Sequence, residues 1–488
     1  MSKNNVGISG FGFYLPPYRV DLEQWSKWTD NDWSKIHAVV GDSFRMCGPE
    51  QGVYTLAANA VLRLIENYDL DPSRIKFLGL GTESSIDNSA GAIIVKGIVN
   101  QALGDSPLPR DCEVPEFKHA CLGGVYGMKA ALRYLCTDAQ PGDQAIVVCS
   151  DIAEYARGST GEQTQGAGAI AMLLEANPRL AKIDLTRSGS ASDYRGADFR
   201  KPFIRFLDQK PRINAKIQDL PVFNGKYSTT CYVDEVLHAM RNMFERHEEG
   251  SHRVLEKFHS VFMHRPYRRM PETGWAMSHL LSLALGSEQS RLELEDYCKL
   301  ADVAMVDMVQ EMTASPDIHS LTEQGTVDQD VYPLTMQVLR AYRKTSAYRD
   351  VVSNKMSLGS DLMMHVGNIY SGALFGWMAA GFEDAVGRHV SLDNQEILAI
   401  GYGSGDAAEV IPMEVVHDWQ EAASKIHFAE SFEPKVDLSQ EQYEKLHDDG
   451  DPGPLEFRPA KAFVIDHVGE NDRQDFTDTG IEYYKYLD

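Results

Sequence analysis

Apolar runs of strand length alternate with helical runs through both halves of this chain, and few folds admit that alternation. Val6–Tyr14 reads as a strand closed by turn signals at Pro16-Pro17, Tyr54–Asn67 as an amphipathic helix, and Ile75–Gly81 as a short apolar strand. Leu122–Leu135 places apolar residues at helical spacing, and Gln144–Ser150 and Gly166–Leu174 are again strands. The second half repeats the theme. Cys231–Glu245 and Gly372–Phe382 read as helices, and Val261–His264, Glu396–Tyr402 and Ala408–Val415 as strands, the last two joined by a Gly403-Ser404-Gly405 turn. Such alternation implies a sheet with helices on its faces. Similar halves suggest an internal duplication, although no sequence repeat is visible. A chain of 488 residues is long enough for two cores, and the expected division is 1–205 and 206–488.

Three stretches interrupt the pattern. Arg187–Leu220 is polar and turn-rich. The segment 276–354 is helical and charged and reads as an insertion that lengthens the second half. The acidic Glu441–Gly453 closes on Gly450-Asp451-Pro452-Gly453 and reads as a surface loop, before a strand-like Ala462–Asp466.

Composition excludes several classes. Lys and Arg number 47 against 71 Asp and Glu, a net charge of −24 that opposes nonspecific binding to nucleic acid or an anionic membrane. No apolar run is long enough to span a bilayer, and Met1–Ile8 lacks a signal peptide's apolar core. The seven cysteines show no CxxC spacing, which argues for reduced thiols in the cytoplasm and against a zinc site; no metal is expected.

The chemistry centres on Cys121 in Glu116-Phe117-Lys118-His119-Ala120-Cys121-Leu122-Gly123-Gly124. A helix starting at or near this residue would offer unpaired N–H groups and a positive dipole end, both of which favour thiolate. Gly123 and Gly124 would let a ligand or another backbone come close. A buried cysteine packed as a small hydrophobe is the plainer reading of the same residue. Thr82-Glu83-Ser84-Ser85-Ile86-Asp87 puts a carboxylate at the end of an apolar strand, where open α/β sheets bind ligands, although Glu83 alone reads equally as a helix cap. Phe262-Met263-His264-Arg265-Pro266-Tyr267 puts a histidine at another strand end; alone it would more often be structural. Asn368 precedes a small-residue helix start and alone reads as an N-cap. Gly401-Tyr402-Gly403-Ser404-Gly405 is a turn between strands, misplaced for a dinucleotide fingerprint.

Taken in order, these runs resemble the 3-hydroxy-3-methylglutaryl-CoA synthase family of the thiolase superfamily. The matching stretches are GTESSID (81–87), HACLGGVYG (119–127), CSDIAEYARGSTGEQTQGAGAIAML (149–173), FNGKYSTTCY (223–232), FMHRPY (262–267), VGNIYSGAL (366–374) and GYGSG (401–405). The resemblance implies two duplicated βαβαβαββ halves packed as a five-layer αβαβα sandwich. It places Cys121 on the acyl-carrying nucleophile, Glu83 on the general acid/base and His264 on the residue that engages the thioester oxygen and the acceptor's ketone. Asn368 and Ser404 fall on acetoacetyl-binding positions and Tyr155 and Thr164 on the acyl pocket; Tyr370 joins the substrate-binding set. Arg265, Arg268 and Arg269 are candidate contacts for CoA phosphates, with a solvated basic turn as the alternative.

The implied reaction joins acetyl-CoA and acetoacetyl-CoA, as in the mevalonate route to isoprenoids, with CoA thioesters as substrates and no further cofactor. Two other readings share the fold: a β-branching synthase working on acyl carrier protein in polyketide assembly, and a type III ketoacyl synthase, which needs no enolising glutamate. Asn224 stands where the family usually has aspartate, and Ala90-Gly91 where a lysine is common, which leaves the carrier open. The resemblance also implies a homodimer paired through a sheet edge. Ala145–Cys149, apolar throughout, is a strand covered on both faces and a candidate for that edge.

Overall fold

The apolar runs of the first half fold as β1 (Val6–Tyr14), β2 (Ile75–Gly81), β3 (Glu116–Phe117), β4 (Gln144–Ala153), β5 (Gly166–Ala176) and β6 (Ala181–Ile183). β7 (Gly189–Ser192) follows, and the second half supplies β8 (Phe258–Met263), β9 (Glu396–Gly403) and β10 (Ala407–Val415). The structure, a computed structural model, describes residues 5–88, 91–202, 220–455, 457 and 459–488. Among these the ten strands follow one hydrogen-bonded path, β8-β9-β10-β6-β1-β5-β4-β2-β3, with β7 beside β10. β6 links the halves by pairing with β1 and with β10. The expected boundary at 205/206, residues 203–219 of the polar stretch and Ala90 lie outside the described residues.

Every residue of β1 is buried, as a strand with helices on both faces requires. α1 (Val53–Asn67) lies on β1, β5 and β4, and α2 (Gly91–Leu103) packs beside it. α3 (Gly123–Thr137) covers the other face, on β2, β4 and β5. α4 (Gly225–Glu245) lies on β7, β9 and β10, with α5 (Arg269–Ala284) packed against it. α6 (Ala373–Gly387) lies on β8 and β9 and also reaches β5. The start of α3 likewise reaches the second-half strands, because Leu122 and Val125 press on Gly401 of β9. α3 and α6 therefore form the middle layer of the expected thiolase-like sandwich. Beyond α5, residues up to 354 fold as further helices, among them Glu288–Leu300, Met305–Thr313 and Pro333–Tyr342. No helix among the described residues is long and apolar enough to cross a membrane.

Glycines set where α3 begins. A Cβ on Gly81, the last residue of β2, would lie 2.5 Å from the Gly124 amide nitrogen; one on Gly403, the last of β9, would lie 2.7 Å from the His119 carbonyl oxygen. A Cβ on Gly123 would meet the Phe117 carbonyl oxygen at 2.6 Å. The start of α3 is thus clamped, backbone to backbone, between two strand ends, and Cys121 is carried there with it.

Two expectations are corrected. β4, which contains Ala145–Cys149, is parallel to β2 on one side and antiparallel to β5 on the other, so it is interior and cannot be the pairing edge. A run that is apolar throughout reports coverage on both faces and says nothing about lateral neighbours. The acidic tail is not a loop: α7 (Gln440–Asp449) occupies most of it. Ser439 and Gln442 form a capping box, and Gly450 ends the helix at φ 76°. Tyr443 and Leu446 are buried with Tyr18, Trp25 and Phe44 in a second core, beside the small sheet of Tyr18–Asp21, Ser43–Met46 and Val436–Asp437.

Gly81→Ala tests the clamp. Backbone on both sides leaves the new methyl nowhere to go, so a loss of about 1–3 kcal/mol is expected, read as a lower midpoint in denaturant unfolding. An unchanged midpoint would mean that the seam is slack.

Candidate active site

Cys121 lies in the short connection between β3 and α3, and the clamp holds that connection in an unusual shape. Ala120 sits at φ +42°, a left-handed conformation that costs a non-glycine residue about 1–2 kcal/mol. Across the cavity Tyr370 is held in the same region at φ +41°, its amide donating to Asn368 Oδ1 at 3.0 Å. Strain of this kind persists only where the surroundings fix it, and such positions cluster at working sites.

The Cys121 thiol donates to Glu83 Oε2 at 3.4 Å. Burial, then the Glu83 and Asp151 carboxyls, push the thiol well above its usual pKa. Glu83 is partly accessible, yet its surroundings and then Asp151 push it up to about 8. At neutral pH the resting pair is mostly a neutral thiol and a neutral acid. The expected lowering of the thiol pKa at a helix start is therefore overturned. A helix-terminus contribution of about 0.3–1 kcal/mol is smaller than the cost of ionising a desolvated sulfur beside two carboxyls.

Asp151, fully buried near the end of β4, organises this region. One of its oxygens accepts from Thr82 Oγ1, from the amides of Glu83 and Ser84, and from Ser84 Oγ, at 2.8–3.1 Å. The other accepts from the amide and hydroxyl of Ser371. One carboxylate thus ties the Glu83 loop to the turn before α6.

His264 follows β8. Its amide donates to Ile400 and its carbonyl accepts from Tyr232 Oη at 3.0 Å. Burial lowers the imidazole to about 3, so it is neutral, and Nδ1 has no hydrogen-bond partner among the described residues. Asn368 is buried, its backbone packed on Gly166, where a Cβ would lie 2.5 Å from the Asn368 carbonyl oxygen. Its amide nitrogen points to Tyr155 Oη at 3.5 Å. The Tyr155 backbone is held by Gln165 and by His447 of α7, so the tail helix braces the Tyr155 loop.

Cys121, Tyr155, Thr164, His264, Asn368 and Ser404 line one narrow, mostly apolar cavity. Tyr370 packs with Cys121 and Tyr155 in one apolar cluster. A second cavity shares Thr164, Pro266 and Tyr267 with the first and reaches Arg265; a third, of about 440 Å³, runs from Arg265 to Arg268 and Arg388. Arg265 is buried, stacked on Trp377 and bonded to Ser360 Oγ at 3.0 Å. Arg269 lines none of these cavities and pairs with Glu272 at 2.7 Å. Phe199, Phe223, Ser228, Tyr267, Met270 and Tyr402 complete the wall and were not singled out in the sequence. Four of these six stand inside the quoted runs FNGKYSTTCY, FMHRPY and GYGSG, which was the available signal. Asp151 also stands inside a quoted run, but its partners cannot be seen there.

Comparison with known proteins identifies a family. The sequence model described as "Hydroxymethylglutaryl-coenzyme A synthase N terminal" matches residues 2–178, and the corresponding C-terminal model matches 209–448. The chain is 24% identical over 459 residues to the hydroxymethylglutaryl-CoA synthase of Gibberella zeae, covering 91% of this chain and 90% of that one. It superposes on MvaS solved with 3-hydroxy-3-methylglutaryl coenzyme A at a TM-score of 0.73 and 25% identity, covering 99% of both chains. The curacin-pathway HMG synthase solved with an acetyl donor-ACP gives a TM-score of 0.70 at 18% identity, covering 99% of this chain and 100% of that one, and shares the fold.

Asp151→Ala would strand buried amides and hydroxyls from both halves. Each unsatisfied buried donor costs about 1–3 kcal/mol, so a loss of at least about 3 kcal/mol in unfolding free energy is expected. A loss below about 1 kcal/mol would show that the two loops hold without it.

Proposed function

The chain belongs to the hydroxymethylglutaryl-coenzyme A synthase family, and from that premise we propose that it adds an acetyl group carried on Cys121 to an acetoacetyl thioester, giving the 3-hydroxy-3-methylglutaryl thioester. The observation that carries this reading is the Cys121–Glu83 hydrogen bond beside a cavity that also holds His264 and Asn368.

The steps follow from the protonation states. Glu83, as carboxylate, accepts the thiol proton while the sulfur attacks the acetyl thioester carbon; the new C–S bond forms as the carrier sulfur leaves, taking that proton from Glu83 and returning Glu83 to the carboxylate form. The Cys121 amide, just before α3, supplies a donor to the developing oxyanion. Glu83 then removes a proton from the acetyl methyl. A base with a raised pKa suits so weak an acid. The enolate carbon attacks the ketone of acetoacetyl thioester, polarised by neutral His264 as a hydrogen-bond donor and by the Asn368 amide. The alkoxide takes the proton back from Glu83, and water releases the product from Cys121.

CoA is the proposed carrier, in a mevalonate-type reaction that feeds isoprenoid synthesis. The adjoining cavities lead from the thiol to Arg265, Arg268 and Arg388, and arginine forks suit the phosphates at the far end of a pantetheine arm. A homodimer is proposed as well, at the β3 edge. That strand has only two residues, and beside it Ile86 is 87% and Ile93 46% exposed, an apolar edge that a two-fold partner would cover.

Brief exposure to labelled acetyl-CoA, then peptide mapping, is expected to find the label on Cys121; label on Cys112 or Cys149 would sink the assignment. Glu83→Ala is expected to acetylate Cys121, more slowly, and to lose condensation by about 10²–10⁴-fold. Because the base must be ionised, wild-type condensation should rise with pH through about 8, and this rise should vanish in Glu83→Gln. Faster turnover with acetyl-loaded carrier protein than with acetyl-CoA would favour the polyketide-type reading. Sedimentation at micromolar concentration is expected to give a dimer that Ile86→Asp with Ile93→Asp converts to monomer. A wild-type monomer at all concentrations would remove the dimer.

A further inference from the structure

Behind the Tyr402–Ser404 wall of the cavity lies a buried carboxyl pair with no part in the steps above. Asp198 is 1% and Asp406 2% exposed. Both contact one atom: Tyr402 Oη is 3.2 Å from Asp198 Oδ2 and 2.9 Å from Asp406 Oδ1. A phenol has a single proton and can donate to only one of two carboxylates. The other contact is attractive only if that carboxyl is itself protonated and donates back.

The remaining partners lead to the same count. Asp198 also accepts from Ser228 Oγ at 2.5 Å, and Asp406 from the Gly405 amide, while Asp406 Oδ2 has no hydrogen-bond partner among the described residues. The facing cation is Arg195, whose Nε is 3.7 Å from Asp406 Oδ2. That guanidinium is already engaged by Asp234 at 2.5 Å, Glu235 at 2.9 Å and Asp193 at 3.1 Å. Asp234, Glu235 and Asp406 are buried around one guanidinium, and Asp198 is buried beside Asp406. An unmatched buried carboxylate costs several kcal/mol, and protonation is the usual relief. Among the described residues Tyr227 and Cys231 are further titratable neighbours; the Cys231 sulfur and the two carboxyls lie within 4.8 Å of one another.

We propose that Asp406 holds a proton, shared with Asp198 through the Tyr402 hydroxyl, and that it is thereby a positioning residue for the Tyr402–Ser404 wall. Tyr402 matters to the site because its ring stacks beside the His264 imidazole, with centroids 6.3 Å apart. Burial and the Asp198 charge push the Asp406 carboxyl far above the usual carboxylate range. Its proton is kept at neutral pH and lost on the alkaline side. Once it is lost, two like charges face one phenol proton and the wall is no longer fixed. The proposal rests on the reading of this cavity as the condensation site, and an infrared measurement separates the two.

Infrared difference spectra of the whole protein between neutral and strongly alkaline pH are expected to show loss of a protonated carboxylic acid band that Asp406→Asn lacks. Glu235, pushed up to about 7, and Glu83, pushed up to about 8, lose their protons in both proteins, so the Asp406 band is read as what remains when the Asp406→Asn difference spectrum is subtracted from that of wild type. Wild-type turnover should fall on the alkaline side. Asp406→Asn, neutral at every pH, should hold KM and neutral-pH turnover within about threefold, a shift of about 0.65 kcal/mol, and lose that alkaline fall. Should that variant fail to fold, Tyr402→Phe, which removes the shared atom, is expected to shift the wild-type band. Difference spectra that are the same in wild type and Asp406→Asn, or a stoichiometric divalent ion bound by Asp198, Cys231 and Asp406, would overturn proton sharing. A band with the expected behaviour in a protein that does not acetylate Cys121 would leave the proton and remove the proposed reaction.

Discussion

A single buried carboxylate, Asp151, holds the site together. Among the described residues no cation pairs with it, and neutral donors, backbone amides among them, stabilise it. Its burial costs free energy, which those hydrogen bonds offset only while every donor is in place. The same charge acts on the chemistry, since it raises both Glu83 and Cys121. The group that fixes the Glu83 loop therefore also raises the proton affinity of the carboxyl that the loop carries, and neither effect can be changed alone.

Around this anchor the backbone does work usually left to side chains. Gly81, Gly123 and Gly403 let two strand ends and a helix start meet at distances that no Cβ would allow. Ala120 and Tyr370 absorb the remaining mismatch in left-handed conformations on either side of the cavity. Rigid elements then present Cys121, His264 and Asn368 from different layers, with little freedom left in any of them.

Much of this was legible in the sequence, for identifiable reasons. β1, β2, β4 and β5 follow directly from apolar runs of strand length. Cys121, Glu83 and His264 stand at ends of elements, where periodicity breaks and turn residues gather, and the fold brings those ends together. Long-range effects were not legible. Asp151 reads locally as an ordinary polar residue after a strand, because Ser371 is 220 positions away. The thiol pKa was judged from its own helix, whereas its environment is set by Glu83 and Asp151. α7 was hidden by acidic composition, although Ser439 with Gln442 and the closing Gly450 carried its start and stop.

The tie between Asp151 and Ser371 bears on how such a chain can change over generations. The two residues lie in different halves, yet they meet at one point. If the halves arose by copying, each has since given up self-sufficiency, and neither retains a complete site. Genetic exchange between relatives whose crossover falls between the two positions brings together loops with separate histories. Chimaeras of this kind are viable only where both parents solved the same contact in the same way, so the whole chain is the unit of inheritance.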